Sequence, residues 1–102
     1  MLTSDIYYEN LDKKFKNQLE KRVDKKLKIL QKYLEKINKP LKITWKVNQF
    51  KHQLFSINVQ LNLGHKEIII EKKNNDLLKA LEVVFNALKE NLLIELKKIK
   101  EK

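Results

Sequence analysis

Seven lysines recur at helical spacing along the first half of the chain: Lys14, Lys21, Lys25, Lys28, Lys32, Lys36 and Lys39. The chemistry open to them is electrostatic. At ~100° per residue they fall within an arc of roughly 80° on one side of a helix. Leu11, Phe15, Leu19, Val23, Leu27, Leu30, Leu34 and Ile37 share the opposite side. The acids Asp12, Glu20, Asp24 and Glu35 sit beside the lysine arc, not on it. A solvated helix usually gains from opposite charges at i, i+4. This one accumulates like charge, which is repulsive until an anion takes it up. A phosphate backbone is the first candidate, which makes Lys14, Lys21, Arg22, Lys25, Lys26, Lys28, Lys32 and Lys36 the expected contacts. Lys89, Lys97, Lys98 and Lys100 would extend the patch from a second helix.

Net charge supports an anionic partner. The chain of 102 residues carries +10, and residues 10–39 alone hold 11 basic and 4 acidic side chains. Residues 76–102 hold 6 and 5, so the electrostatic footprint belongs to the first helix. Only Arg22 among the 23 basic residues is an arginine. Lysine attracts phosphate as a point charge without the planar fork used for reading bases, which favours backbone and shape recognition.

Other chemistries find little support. Cysteine is absent, so neither disulfides nor thiolate metal sites are expected. His52 and His65 fall singly in predicted turns, with no second ligand at metal spacing. Trp45, Tyr7, Tyr8 and Tyr33 could stack on bases, but Trp45 lies on the apolar row of a strand and Tyr33 at the edge of the helix's apolar face. No nucleophile elbow, phosphate-cradling glycine loop or His/Asp/Glu set is present, so a non-enzyme without a cofactor is expected. The N-terminus lacks the charged and apolar regions of a signal peptide, and no apolar run approaches a membrane span. A cytoplasmic protein with neither a membrane nor a small-molecule substrate follows as the expectation.

The elements that must hold the lysines read as follows. Punctuation is sparse, with one proline, Pro40, and one glycine, Gly64. The first helix is expected near 11–38, closed by Pro40. Leu41, Ile43, Trp45 and Val47 alternate with polar residues, predicting a strand near 41–48. Residues 49–53 are polar enough for a hairpin. Phe55, Ile57, Val59, Leu61 and Leu63 predict a second strand near 54–63. Gly64 and His65 form a turn into a third near 66–72. Asp76 is the expected N-cap of a last helix near 76–99, with Leu77, Leu81, Val84, Phe85, Leu88, Leu92 and Ile99 on one stripe. Asp5–Glu9 is a short possible strand, making the sheet three- or four-stranded. The expected fold is a single α+β domain over residues 1–102, a two-layer sandwich of order β-α-β-β-β-α. Both helices cover one face of a mostly antiparallel sheet. The row Lys42, Thr44, Lys46, Ser56, Asn58, Gln60, Asn62 faces water.

At this level the chain resembles the ribosome hibernation promoting factors, also called ribosome-associated inhibitors. Lys26–Ile37, KLKILQKYLEKI, resembles the K-L-x-K-L-E-x-Y-F ending of that family's first helix. Asp76–Glu82, DLLKALE, resembles its D-M-Y-x-A-I-D opening of the second, matching at Asp76, Ala80 and the acidic Glu82. The resemblance spans nearly the whole chain. It implies a βαβββα fold and occupancy of the small ribosomal subunit where mRNA and tRNA would lie, with rRNA as the partner. The family's second helix continues D-K-L-x-R-Q-L-x-K, whereas this chain has Ala87, Glu90 and Ile94 at the three basic positions. In the first helix Lys26 matches, and Ile29 replaces the next basic residue, with Lys28 beside it.

Two further readings stand beside this one. A protein-interaction module on the same fold, including a weak homodimer, would use Val83, Ala87 and Ile94 as its surface. A shape-selective double-stranded RNA binder shares the α-β-β-β-α order, but its second helix normally opens on a K-K motif that Asn74-Asn75-Asp76 lacks.

Overall fold

The computed structural model describes residues 2–35, 37, 40–51, 54–64 and 66–100, the side chains of 99 and 100 excepted. Six elements follow in order: β1 Leu2–Glu9, α1 Lys13–Leu34, β2 Leu41–Phe50, β3 Leu54–Asn62, β4 Glu67–Asn74 and α2 Leu77–Lys100. The sheet order is β1-β2-β3-β4. Strands β2, β3 and β4 pair antiparallel, as strands joined by short turns must. Strand β1 pairs parallel with β2, because α1 carries the chain back across the sheet between them. The expected two-layer α+β architecture is therefore present, with four strands rather than three.

Period-2 alternation decides which face is covered. Ile43, Trp45, Val47, Ile57, Val59 and Leu61 are buried beneath the helices, in one core with Leu19, Val23 and Leu30 of α1 and Leu81, Val84, Leu88 and Leu92 of α2. Phe15 and Phe55 close one end edge to face, with ring centroids 5.2 Å apart. Ala80 is fully buried on α2.

Several boundaries move. Strand β1 begins at Leu2, three residues before the expected Asp5. Leu2, Ser4, Ile6 and Tyr8 stand opposite core residues of β2 in the register, but only Leu2 and Ile6 are strongly apolar, so the period was faint. Helix α1 starts at Lys13, not 11: the Asp12 carboxylate accepts from the Lys14 N–H, and Asn10 takes φ 59° to turn the chain out of β1. It ends at Leu34, four residues before the expected 38. The Ile37 N–H donates to the Leu34 carbonyl at 3.0 Å as the chain turns towards β2. Strand β2 runs on to Phe50, so the hairpin is shorter than 49–53. Asp76 caps α2 as expected, its Oδ1 accepting from Leu78 and Lys79 N–H at 3.0 and 3.3 Å. Gly64 holds φ 93°, a conformation open to glycine, in the β3–β4 turn. His52 and His65 lie outside the described residues.

Candidate nucleic-acid interface

Burying Leu19, Val23, Leu30 and Leu34 against the sheet fixes the rotation of α1 and turns its lysines outward. Lys14, Lys21, Arg22, Lys25, Lys28 and Lys32 are exposed. Among the described residues, Lys21, Arg22, Lys25, Lys28 and Lys32 have no carboxylate within ion-pair distance. Two of the four acids of this segment are engaged elsewhere. Asp12 caps the helix, and Glu20 accepts from the Tyr8 hydroxyl at 2.9 Å. The stripe therefore keeps its charge.

Lys26 differs from its neighbours. Its ammonium lies 2.6 Å from Glu82 Oε1 and 4.7 Å from the Phe85 ring centroid, largely enclosed between the two helices. It joins α1 to α2. Lys16, which sequence reasoning passed over, is half-buried with its ammonium 5.2 Å from the Tyr8 ring centroid. Spacing alone could not show it, because the partner strand β1 lies outside the helix.

On α2, Lys89 is half-buried with its ammonium 5.8 Å from the Phe85 ring. Lys97 and Lys98 are exposed, and Lys98 lies 3.4 Å from Glu95 Oε1. Glu95 itself is 4% exposed and also pairs with Lys66 at 3.0 Å, fastening the β3–β4 turn to the helix. Lys36, Lys39 and the side chain of Lys100 lie outside the described residues. Val83 and Ile94 are exposed at 44% and 55%, and Ala87 is half-buried. Val83, Ala87 and Ile94 form an apolar seam along one side of α2, and Ala87, Ile94 and the 42% exposed Ile29 of α1 stand where the resemblance implies basic residues.

The remaining candidates resolve simply. Trp45 is fully buried and Tyr33 packs against the core, as their rows implied. Tyr7 is exposed on the uncovered sheet face. That face is less wet than expected: Lys42 and Lys46 are exposed, but Ser56 is 5% exposed and donates to Glu71 Oε1 at 2.9 Å. Among the described residues, no three His, Cys, Asp or Glu side chains gather as metal ligands, and no helix is long and apolar enough to cross a membrane.

Comparison with known structures bears on the scaffold that carries the stripe. The chain superposes on the N-terminal domain of Protein Y from Thermus thermophilus with a TM-score of 0.68 at 18% identity, covering 89% of this chain and 91% of that one. This chain has that fold. A ribosomal subunit interface protein from Coxiella burnetii also matches, with a TM-score of 0.54 at 13% identity over 98% and 99% of the two chains. No family model and no curated protein sequence matches. The shared fold agrees with the βαβββα order expected from the sequence.

Proposed function

We propose that this chain is a cytoplasmic, non-enzymatic ribosome-associated protein that docks on small-subunit rRNA through the lysine stripe of α1 and inhibits translation by occupancy. The carrying observation is the run of exposed cations Lys21, Arg22, Lys25, Lys28 and Lys32, which among the described residues have no acidic partner. Five like charges held in one arc lower their mutual repulsion when phosphates enter, and the release of condensed counterions drives that binding. The likeness to Protein Y and to a ribosomal subunit interface protein supports the ribosome as the place where those phosphates are met. Lys26 serves this surface indirectly, by holding α2 beside α1 through Glu82. Lys97 and Lys98 extend the charge towards the end of α2.

Co-sedimentation with purified small subunits tests the proposal. Reversal of Lys21, Lys25, Lys28 and Lys32 to Glu is expected to abolish association while circular dichroism stays unchanged. Undiminished association of that folded variant removes the stripe from the mechanism.

One observation favours a second reading. Val83 and Ile94 are exposed apolar side chains that share one side of α2 with the half-buried Ala87, a surface suited to a protein partner or to a weak homodimer.

A further inference from the structure

The uncovered face of the sheet differs from the helix layer in charge and in shape. The register sets two rows of four across it: Tyr7, Lys46, Asn58, Glu71, and beside them Glu9, Asn48, Ser56, Lys73. These residues and Phe50 border a groove of about 420 Å³, Lys73 reaching it through Phe50, whose ring centroid lies 5.4 Å from its ammonium. That volume lies in the range of small-ligand sites, roughly 300–1,000 Å³. The floor is polar, the walls aromatic. Tyr7 is 55% exposed and Phe50 42%, so both rings offer surface to an occupant. On the floor, Ser56 donates to Glu71, while the side-chain oxygens of Asn48 and Asn58 are shut off from solvent without a hydrogen-bond partner. Buried amide oxygens are ordinarily paired, so this floor holds bonding capacity that the protein does not use itself.

Charge selects the class of occupant. Asp5, Glu9, Glu67 and Glu71 nearly balance Lys42, Lys46 and Lys73 across this face, and Lys42 is already paired with Asp5 at 2.9 Å. A polyphosphate backbone gains little from such a surface. A neutral, planar group with hydrogen-bonding edges gains from all of it: rings to stack on, amides and a carboxylate to meet its amino and imino protons. The geometry points to a second, independent site on this chain, a sheet-face groove that takes an unpaired base of single-stranded RNA. Tyr7 supplies the stacking ring, the exposed Glu71 carboxylate and the bordering amide groups of Asn48 and Asn58 meet the base edge, and Lys46 lies beside Tyr7 to meet the strand's phosphate. The site lies on the opposite layer from the lysine stripe, so either can fail without the other.

Fluorescence anisotropy with labelled hexaadenylate and with a blunt RNA duplex separates the two sites. Tyr7→Ala is expected to weaken hexaadenylate about tenfold and leave the duplex unaffected, in keeping with stacking losses seen for single-strand binders. Asn58→Ala is expected to weaken hexaadenylate as well, and hexaadenylate to shift the Asn48 and Asn58 side-chain amide resonances of the unaltered chain. The stripe reversal is expected to weaken the duplex and to leave the effect of Tyr7→Ala on hexaadenylate in place. The groove is overturned if neither Tyr7→Ala nor Asn58→Ala changes hexaadenylate binding. Equal weakening of both RNAs by Tyr7→Ala overturns it too. A shift of those amides by a basic peptide but not by hexaadenylate assigns the face to a protein and also overturns it.

Discussion

The Tyr8 hydroxyl donates to Glu20 Oε1 at 2.9 Å, fastening the edge strand β1 to the helix that bears the lysines. Strand β1 is held by the sheet on one side alone, through its parallel pairing with β2. The contact also engages the Glu20 carboxylate with a neutral donor. One hydrogen bond thus anchors an edge and occupies one of the acids of α1.

Tyr8→Phe is expected to cost about 0.5–1.5 kcal/mol, the usual net worth of such a bond, and to lower the melting temperature accordingly. The pH dependence has a definite sign. Burial first, then the hydrogen bond and charge of Glu20, holds the Tyr8 phenol well above its ordinary value of 10.0. Its contribution is complete below the unfolded value and is lost as pH rises through the folded one. Absorbance titration is expected to show one tyrosine ionising late, and Tyr8→Phe to flatten the alkaline decline in stability. A wild-type chain whose tyrosines all ionise near 10 contradicts the contact.

Glu95 is a nearly buried carboxylate that joins Lys66 of the β3–β4 turn to α2. Lys66 is half-exposed, so solvent screens the pair and Lys66→Met is expected to cost about 1 kcal/mol. Denaturant unfolding measures it. A loss unaffected by raising salt would assign the effect to packing of the lysine stem.

Ala80→Leu tests the packing beneath α2. Ala80 is fully buried on that helix. Added methylenes there are expected to cost about 1–3 kcal/mol by chemical denaturation. A neutral result would mean that α2 is not closely packed at that point.

Much of this fold was legible because its signals are local. Alternation in β2 and β3, the cap at Asp76 and the apolar stripe of α2 each belong to one segment, and each appears where the residues put it. What escaped depended on partners distant in sequence. The full length of β1 rests on pairing with β2, and the burial of Ser56 rests on Glu71, 15 residues away. Within the candidate site, the outward lysine arc was readable from the 3.6-residue period. The pairing of Lys26 with Glu82 was not, since it needs the second helix.

Ile94→Lys bears on the apolar seam. Ile94 is 55% exposed, so the substitution is expected to change stability by less than about 0.5 kcal/mol. It adds a charge where the hibernation factors carry one, and RNA binding is expected to strengthen. Light scattering at several concentrations reads the other outcome: a fall in self-association would assign the seam to a second copy of the chain.

The central claim, that unpaired lysines of α1 bind RNA phosphates, is tested most directly by the salt dependence of small-subunit binding. With four to six phosphates neutralised, log K is expected to fall with log salt at a slope of about −3 to −5. The Lys21, Lys25, Lys28 and Lys32 reversal should leave no measurable binding at the lowest salt. A slope near zero, or the same slope in the reversed variant, would contradict the account.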